Sequence, residues 1–333
     1  MRRPQSRSYR FGYERSLRPC LPPPIAPRRR GPTLKPVLTV NAGSTSLKLH
    51  LVDGQEARPV DTFVPAEAVG HRVVHGGAHF VQPTPIDDDV IRGIEELRSI
   101  APLHNDAALR GIQEARAALP DVPHVAVFDT AFHRTIPAEA ATYAIPRQWH
   151  EEWGIRRYGF HGLAVESVVS RVDVERLVVC HLGGGCSITA VLRGESVDTT
   201  MGFTPLEGVP MATRSGSIDP GALLFVLREK GLTAADLDGA LEHESGLAAL
   251  GGLDDPDAFA VFTYAVACAA ARMAVALGGI DVLAFSGGVG ENRPDVRDAV
   301  AERLAFLGNV RLEVVEAREE LVIAQAVRGV LGQ

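Results

Sequence analysis

The side chains in this sequence best suited to chemistry are those that handle anions. The segment TVNAGSTSLKLHLVDG, Thr39 to Gly54, sets two alternating apolar runs around a turn holding Ser44, Thr45 and Ser46. Backbone N–H groups and hydroxyls in such a turn form a concavity that suits an anion. The turn lacks the Gly-Lys-Ser/Thr ending of a Walker loop, and a strand rather than a helix follows it. Further chemistry-bearing groups sit at the ends of ordered-looking runs. Arg72 lies beside a strand-like run that ends in Gly76-Gly77, and Asp129 stands where the buried run Val125 to Phe128 opens out. His161 follows the turn RRYGFHG, Arg214 lies in TRSG, and Glu319-Glu320 come near the end. His71, His75 and His79 have ligand-like spacing, but Gly76-Gly77 breaks any helix that would align them, so no metal site is expected there. His104 and His181 read equally as structural histidines, and Cys186 reads as a small residue beside a glycine turn.

The elements that must position these groups alternate between strand-like and helix-like, which argues for an α/β architecture. Val90, Ile91, Ile94 and Leu97 recur at helical spacing over Asp88 to Ser99, and Asn105 or Asp106 is placed to cap a second helix through Leu119. The apolar run Ala258 to Ala271 stops at Arg272, is too short to span a bilayer, and reads as a buried helix before the strand Val282 to Phe285. A weak internal repeat carries more information. LTVNAGSTSLKLHLVDG resembles LVVCHLGGGCSITAVLRG, Leu177 to Gly194, each reading strand, Gly/Ser turn, strand. A third glycine-rich turn, SGGVGEN (Ser286 to Asn292), follows a later strand. Duplicated strand–turn–strand units predict two similar domains facing each other across a cleft, each offering a phosphate-gripping hairpin; two ordinary hairpins are the plainer alternative.

With 333 residues, 46% of them hydrophobic, the chain can bury two cores. A net charge of -7 gives no reason to expect nucleic acid or an anionic membrane as partner. Four cysteines without a CxxC pair read as reduced thiols in a cytoplasmic protein. Residues 1–35 differ in composition, with nine arginines and one lysine against the single acid Glu14. They read as a disordered basic tail or the product of a mis-called start.

Taken together, VGHRVVHGG, APLHN, VFDTAFH, RRYGFHG, TTMGFTPLEG with TRSG, and REELVIA resemble the acetate kinase family in order, spelling and position, from about Pro36 to Ala326. The resemblance implies two ribonuclease-H-like domains of the acetate and sugar kinase/Hsp70/actin architecture. It divides the chain into 36–133, completed by a C-terminal helix at about 321–333, and a nucleotide-binding domain over 134–320. The implied activity is reversible, Mg²⁺-dependent transfer of the ATP γ-phosphoryl group to acetate, giving acetyl phosphate and ADP, in a homodimer. By motif position, Asn41 and Glu319 (or Glu320) are the metal-site residues, with Ser44 and Ser46 near Asn41. Arg72 is the acyl-substrate arginine, and Asp129, His161 and Arg214 are catalytic. Lys48, the stretch His181, Leu182, Gly183, Gly184 and Gly185, and the stretch Gly288, Val289, Gly290, Glu291 and Asn292 are assigned to the nucleotide.

Three departures from the family pattern matter. Gly184 stands where the family's phosphate turn usually has asparagine. The segment Ser245 to Asp255 lacks the Asp-x-Arg that contacts the nucleotide, and the stretch between Gly54 and Gly70 is short. Propionate or butyrate as acceptor, with Val74 and Pro210 as candidate pocket residues, pyrophosphate as donor, and a non-catalytic nucleotide-binding role are therefore the alternatives.

Overall fold

In the computed structural model, the structure describes residues 35–42, 47–99 and 102–333, with backbone alone at 99 and 102–104. The basic tail up to Leu34, Cys20, Ser44 and Ser46 lie outside the described residues, as does the side chain of His104. The first half builds a six-stranded sheet from β1 (Val37–Ala42), β2 (Leu47–Asp53), β3 (Glu56–Val60), β4 (Ala68–Val73), β5 (Thr84–Pro85) and β6 (His124–Phe128). Its order is β3-β2-β1-β4-β6-β5, with α1 (Asp88–Glu96) and α2 (Pro102–Ala118) between β5 and β6. Asp87 caps α1, its carboxylate accepting from Val90 N at 2.9 Å.

Helix α2 starts earlier than its sequence signals indicate. Asn105 is not a cap, because its side chain accepts from His75 N and donates to His75 O, tying the helix to the exit of β4.

Short helices α3 (Ala138–Ala141) and α4 (Arg147–Glu151) lead to α5 (Gly162–Val169), and a second sheet follows. It contains β7 (Arg176–Leu182), β8 (Cys186–Leu192) and β9 (Glu195–Thr199). After α6 (Pro220–Glu229), α7 (Ala234–His243), α8 (Gly246–Ala249) and α9 (Pro256–Leu277), it is completed by β10 (Val282–Ser286) and β11 (Arg311–Val314). Between those two strands come α10 (Gly287–Asn292) and α11 (Pro294–Arg303), and α12 (Glu319–Val330) closes the chain.

The order β11-β10-β7-β8-β9 repeats the first sheet's plan. In each, an antiparallel three-strand meander (β1-β2-β3 or β7-β8-β9) joins two parallel strands through its first strand (β4 and β6, or β10 and β11). The internal repeat therefore extends from a hairpin to a whole sheet.

Strand alternation sorts each sheet into two covered faces. Val37, Val52, Val125 and Val127 pack with Ile323 and Val327 of α12, while Leu38, Val40 and Val69 pack with Ala115 of α2. Gly70 admits α12 closely, since a Cβ there would lie 2.5 Å from Ile323 Cγ2. In the second sheet, Val178, Cys180, Ile188 and Phe285 meet Phe262, Val266 and Met273 of α9. The apolar run is thus part of a 22-residue helix capped by Asp255, and by length and composition alone that helix is long enough to cross a membrane. Here it covers one face of a sheet.

Helix α5 serves both sheets. Leu163 joins the core under α12, whereas Val165 and Val168 join Leu177, Val179 and Ala284.

Candidate active site

Arg72 lies near the end of β4 opposite Val127 of its parallel neighbour β6, so Asp129, two residues further on, falls within reach of the long Arg72 side chain. Arg72 donates to Asp129 Oδ2 from Nε at 3.0 Å and from Nη2 at 2.5 Å. Its Nη1 donates to Asn41 Oδ1 at 3.1 Å, and its Nε is 3.6 Å from Glu319 Oε2. Asn41, on β1, donates from Nδ2 to that same Glu319 oxygen at 3.0 Å. Burial opposes charge on Arg72, but the Asp129 and Glu319 carboxylates outweigh it and raise its pKa further. Asp129 is fully buried, and among the described residues its Oδ1 has no hydrogen-bond partner. A buried carboxylate oxygen left open on Asp129, with the Glu319 carboxylate and the Asn41 amide gathered on the same guanidinium, offers oxygen donors of the kind a hard divalent cation such as Mg²⁺ takes. Lys48 and His50 of β2 line the adjoining cavity of about 320 Å³ with Asn41, Arg72, Ala317, Glu319 and Glu320.

The second half of the site comes from the start of α5 and the second hairpin. His161 has a left-handed backbone, φ 61°, and Gly162 beside it must be small because a Cβ would sit 2.0 Å from Asp129 O. Gly162 N donates to that carbonyl at 3.1 Å, which pins His161 against the Asp129 turn. The His161 ring lies with Nδ1 3.1 Å from Ser187 Oγ and its centroid 4.7 Å from that of His181. Burial first, then the charges of His181, Arg72 and Arg214, push its pKa well below the usual value, so it is neutral at pH 7. Arg72 and Arg214 thus both bear on one imidazole. Arg214 pairs with Glu242 of α7 at 2.9 Å, and its Nη1 and the His161 ring both border Gly185.

The three glycine segments divide more finely than the sequence indicates. Gly183 and Gly185 turn between β7 and β8, and the position of a Cβ on Gly184 faces open space. Leu182 is buried in the core, so only its backbone can reach a ligand. Burial lowers the pKa of His181, the Glu319 and Asp129 carboxylates opposing and Arg72 adding to the shift, and its ring lies beside that of His161 at the end of β7. SGGVGEN is not a loop but a short helix, α10, entered through Gly287 at φ 78°. Within it Gly288 and Asn292 are exposed, Gly290 is buried, Val289 packs on the core, and the Glu291 carboxylate turns inward onto backbone amides.

The three closely spaced histidines diverge. His71 pairs with His124 at 2.9 Å, His75 meets the rings of Tyr158 and Phe160, and His79 is exposed.

Sequence reasoning missed Ser187, Glu242, and the triad Tyr143, Arg157 and Glu207, in which Arg157 Nη2 donates to Glu207 Oε1 at 2.6 Å and Tyr143 to Glu207 Oε2. Arg157 and Glu207 lie inside RRYGFHG and TTMGFTPLEG and Ser187 inside the second hairpin, but the contacts that give them a role join residues distant in sequence. Ser187, one residue beyond Cys186 in the repeat, is the one that the second hairpin could have flagged.

Two lobes of one sheet plan, meeting at arginines, histidines and an open carboxylate beside glycine turns, define a protein of the acetate and sugar kinase/Hsp70/actin class. The model of the acetokinase family matches residues 61–325. The acetate kinase of Natranaerobius thermophilus is 40% identical over 313 residues, covering 80% of this chain and 79% of the relative. That of Deinococcus deserti is 46% identical over 287 residues, covering 79% and 70%. Among solved structures, a propionate kinase from Francisella tularensis superposes with a TM-score of 0.81 at 30% identity, covering 87% of this chain and 98% of that one. The acetate kinase of Porphyromonas gingivalis does so with a TM-score of 0.81 at 29% identity, covering 89% and 99%. The chain belongs to the acetokinase family.

Proposed function

We propose that this protein is an acetate kinase, transferring the γ-phosphoryl group of ATP reversibly to acetate. The observation that carries this reading is the fixed guanidinium of Arg72, held by Asp129 and Asn41 beside Glu319 at the cavity that Lys48 also lines.

A carboxylic acid with a pKa near ~4 to 5 is already ionised at neutral pH, so no general base is required. A carboxylate oxygen attacks phosphorus, the new O–P bond forms, and the bond from phosphorus to the ADP oxygen breaks as ADP leaves. The obstacle is repulsion between two anions, and the remedy is alignment and charge compensation. Arg72 offers a planar fork to the acetate carboxylate or to the phosphoryl oxygens. With the Ser187 hydroxyl donating to Nδ1 of the neutral His161, Nε2 carries a proton for a phosphoryl oxygen. Arg214 adds positive charge from the loop on the other side. Asp129, Glu319 and Asn41 would hold Mg²⁺, which when bound draws charge from the phosphate oxygens. Asp129 acts electrostatically rather than by taking a proton.

The backbone of Gly183 to Gly185 and the open end of α10 at Gly288 and Asn292 are assigned to the nucleotide, and Lys48 to a phosphate reached from the first hairpin. Closure of the lobes, 36–133 with the C-terminal helix against 134–320, would exclude water from the transferring group. Packing of α12 on the first sheet supports that division. Exposed Ile218, Leu224 and Phe225 on and beside α6 suit a homodimer contact, and the unpaired Cys180, Cys186 and Cys268 suit a reducing cytoplasm.

A second reading keeps the chemistry and lengthens the acid to propionate or butyrate. Val74 sits in one buried apolar cluster with Phe160, Val209 and Met211 beside His161, and Pro210 interrupts it half-buried. Trapping the acyl phosphate with hydroxylamine, across acetate, propionate and butyrate and with ATP or pyrophosphate, tests both. Acetyl hydroxamate formed fastest with Mg-ATP is the expected outcome; none from any acid and donor would remove the proposal.

A further inference from the structure

Glu291 lies in the SGGVGEN segment assigned to the nucleotide, yet its carboxylate does not face the cleft. Oε1 accepts from Gly287 N at 2.9 Å and from Ala317 N at 3.2 Å. A carboxylate aimed at a polyphosphate would repel it, and one satisfied by two amides forms charge-assisted bonds instead. Ala317 belongs to the four-residue segment joining β11 to α12, and each of those residues is held by an element of the second lobe or by α5. Val315 N donates to Phe285 O at 2.9 Å, Glu316 O accepts from Arg171, Ala317 N reaches Glu291, and Arg318 N donates to Ser167 Oγ at 2.8 Å. The next residue is Glu319, which turns to Asn41 and Arg72 of the first sheet. Gly287, the other amide on Glu291, is pressed against Leu182 at the mouth of the second hairpin, where a Cβ would lie 2.6 Å from Leu182 O.

We propose that Glu291 is a positioning residue: its carboxylate bolts the β11–α12 junction to the glycine segments of the second lobe and thereby sets where Glu319 enters the site. Ser167 does the same one residue further on, from α5, the helix that follows His161. The metal-side carboxylate, the phosphate turn and the histidine helix are thus registered to one another through backbone amides. This rests on the acetate kinase reading for its catalytic consequence, and on the hydrogen bonds alone for the tie itself.

The test combines amide hydrogen exchange with kinetics on the full chain. In Glu291→Ala, exchange at Gly287 and Ala317 should quicken at least about tenfold, as expected when a buried amide loses its acceptor. In the same variant kcat should fall about tenfold or more while KM for ATP moves less than about threefold, the signature of lost positioning rather than lost binding. Glu291→Gln, which keeps an accepting oxygen, should retain at least about half of the wild-type kcat. In a Glu319→Gln background, Glu291→Ala should change kcat by less than about twofold, because it acts through Glu319.

Unchanged exchange at Ala317, a tenfold rise in ATP KM with kcat held, or multiplying effects of the two variants would each overturn the proposal. If Glu291→Ala does not fold, Ser167→Ala carries the same test at Arg318, where unchanged exchange and unchanged kcat overturn it. A wild-type protein that makes no acyl phosphate would remove the functional reading, while the exchange result would still decide the tie.

Discussion

Arg72 and Arg214 bear on the same imidazole but are held in opposite ways. Arg72 projects from a central strand, with a buried carboxylate on two of its nitrogens and an amide oxygen on a third. Arg214 sits on a loop whose backbone leans on residues 241–248: Ser215 N donates to Leu241 O, Leu247 N to Met211 O and Ala248 N to Ala212 O. Its carboxylate partner, Glu242, belongs to α7, a helix that buries none of its residues. One guanidinium is fixed before any substrate arrives. The other is tied through Glu242 to a peripheral helix. A preorganised donor needs little rearrangement when charge develops, whereas a loop-borne one is suited to moving as the cleft closes.

Substitution separates the two most sharply. Arg72→Ala should lower acyl phosphate formation by a hundredfold or more, about 3 kcal/mol of transition-state stabilisation. It should also destabilise the fold by about 3–5 kcal/mol, because the Asp129 carboxylate is left buried without its cation. Denaturant melts alongside the hydroxamate assay check both. Arg214→Ala should cost a comparable factor in rate but less stability than Arg72→Ala, because its partner Glu242 keeps some contact with solvent whereas Asp129 keeps none. Equal losses of stability in the two variants would erase the contrast. Glu242→Gln sharpens it: the rate should fall only about threefold to tenfold, since a positioned residue is loosened rather than removed.

The buried histidines give a smaller, pH-dependent effect. An unfolded histidine takes up its proton near 6.5, whereas His75 and His133 resist until about 4 and His71 until about 3. Burial is the main cause in all three, joined at His71 by His124 and Arg116 and opposed at His75 and His133 by a backbone hydrogen bond. Over that window the unfolded chain binds more protons, so stability is full above about pH 6.5 and falls as the pH drops toward 4. Each group contributes a slope of up to about 1.4 kcal/mol per pH unit. Melting temperatures measured from pH 7 to pH 5 should fall steadily, and His133→Asn should flatten the decline.

The smallest effect is expected at Gly184, where an added Cβ meets nothing and the backbone is not left-handed. Gly184→Asn should leave stability within about 0.5 kcal/mol and lower the KM for ATP a few-fold by restoring a side-chain amide near the phosphates.

Much of the first hairpin was legible because a period-two apolar pattern flanks a turn, and the repeat at Leu177 predicted the antiparallel pair β7–β8. Register then brought Arg72 to Asp129, which sequence order alone does not reveal. What stayed hidden depends on distant pairing. Asn105 resembles a helix cap locally, but His75 takes its side chain. Glu291 reads as part of a nucleotide loop until Ala317, 26 residues later, claims its carboxylate. SGGVGEN looks like a turn because glycine disfavours helices, yet five hydrogen-bonded residues after Gly287 follow a helical path once β10 delivers them. The Glu242 support for Arg214 carries no local signal.

The most direct measurement is a crystal structure with Mg-ADP, aluminium fluoride and acetate bound. Arg72 and Arg214 should both place guanidinium nitrogens about 3 Å from the planar fluoride, with acetate and ADP on its two faces and His161 Nε2 on its edge. Either arginine bound only to its carboxylate partner, with the fluoride out of reach, would contradict the convergence on which this mechanism depends.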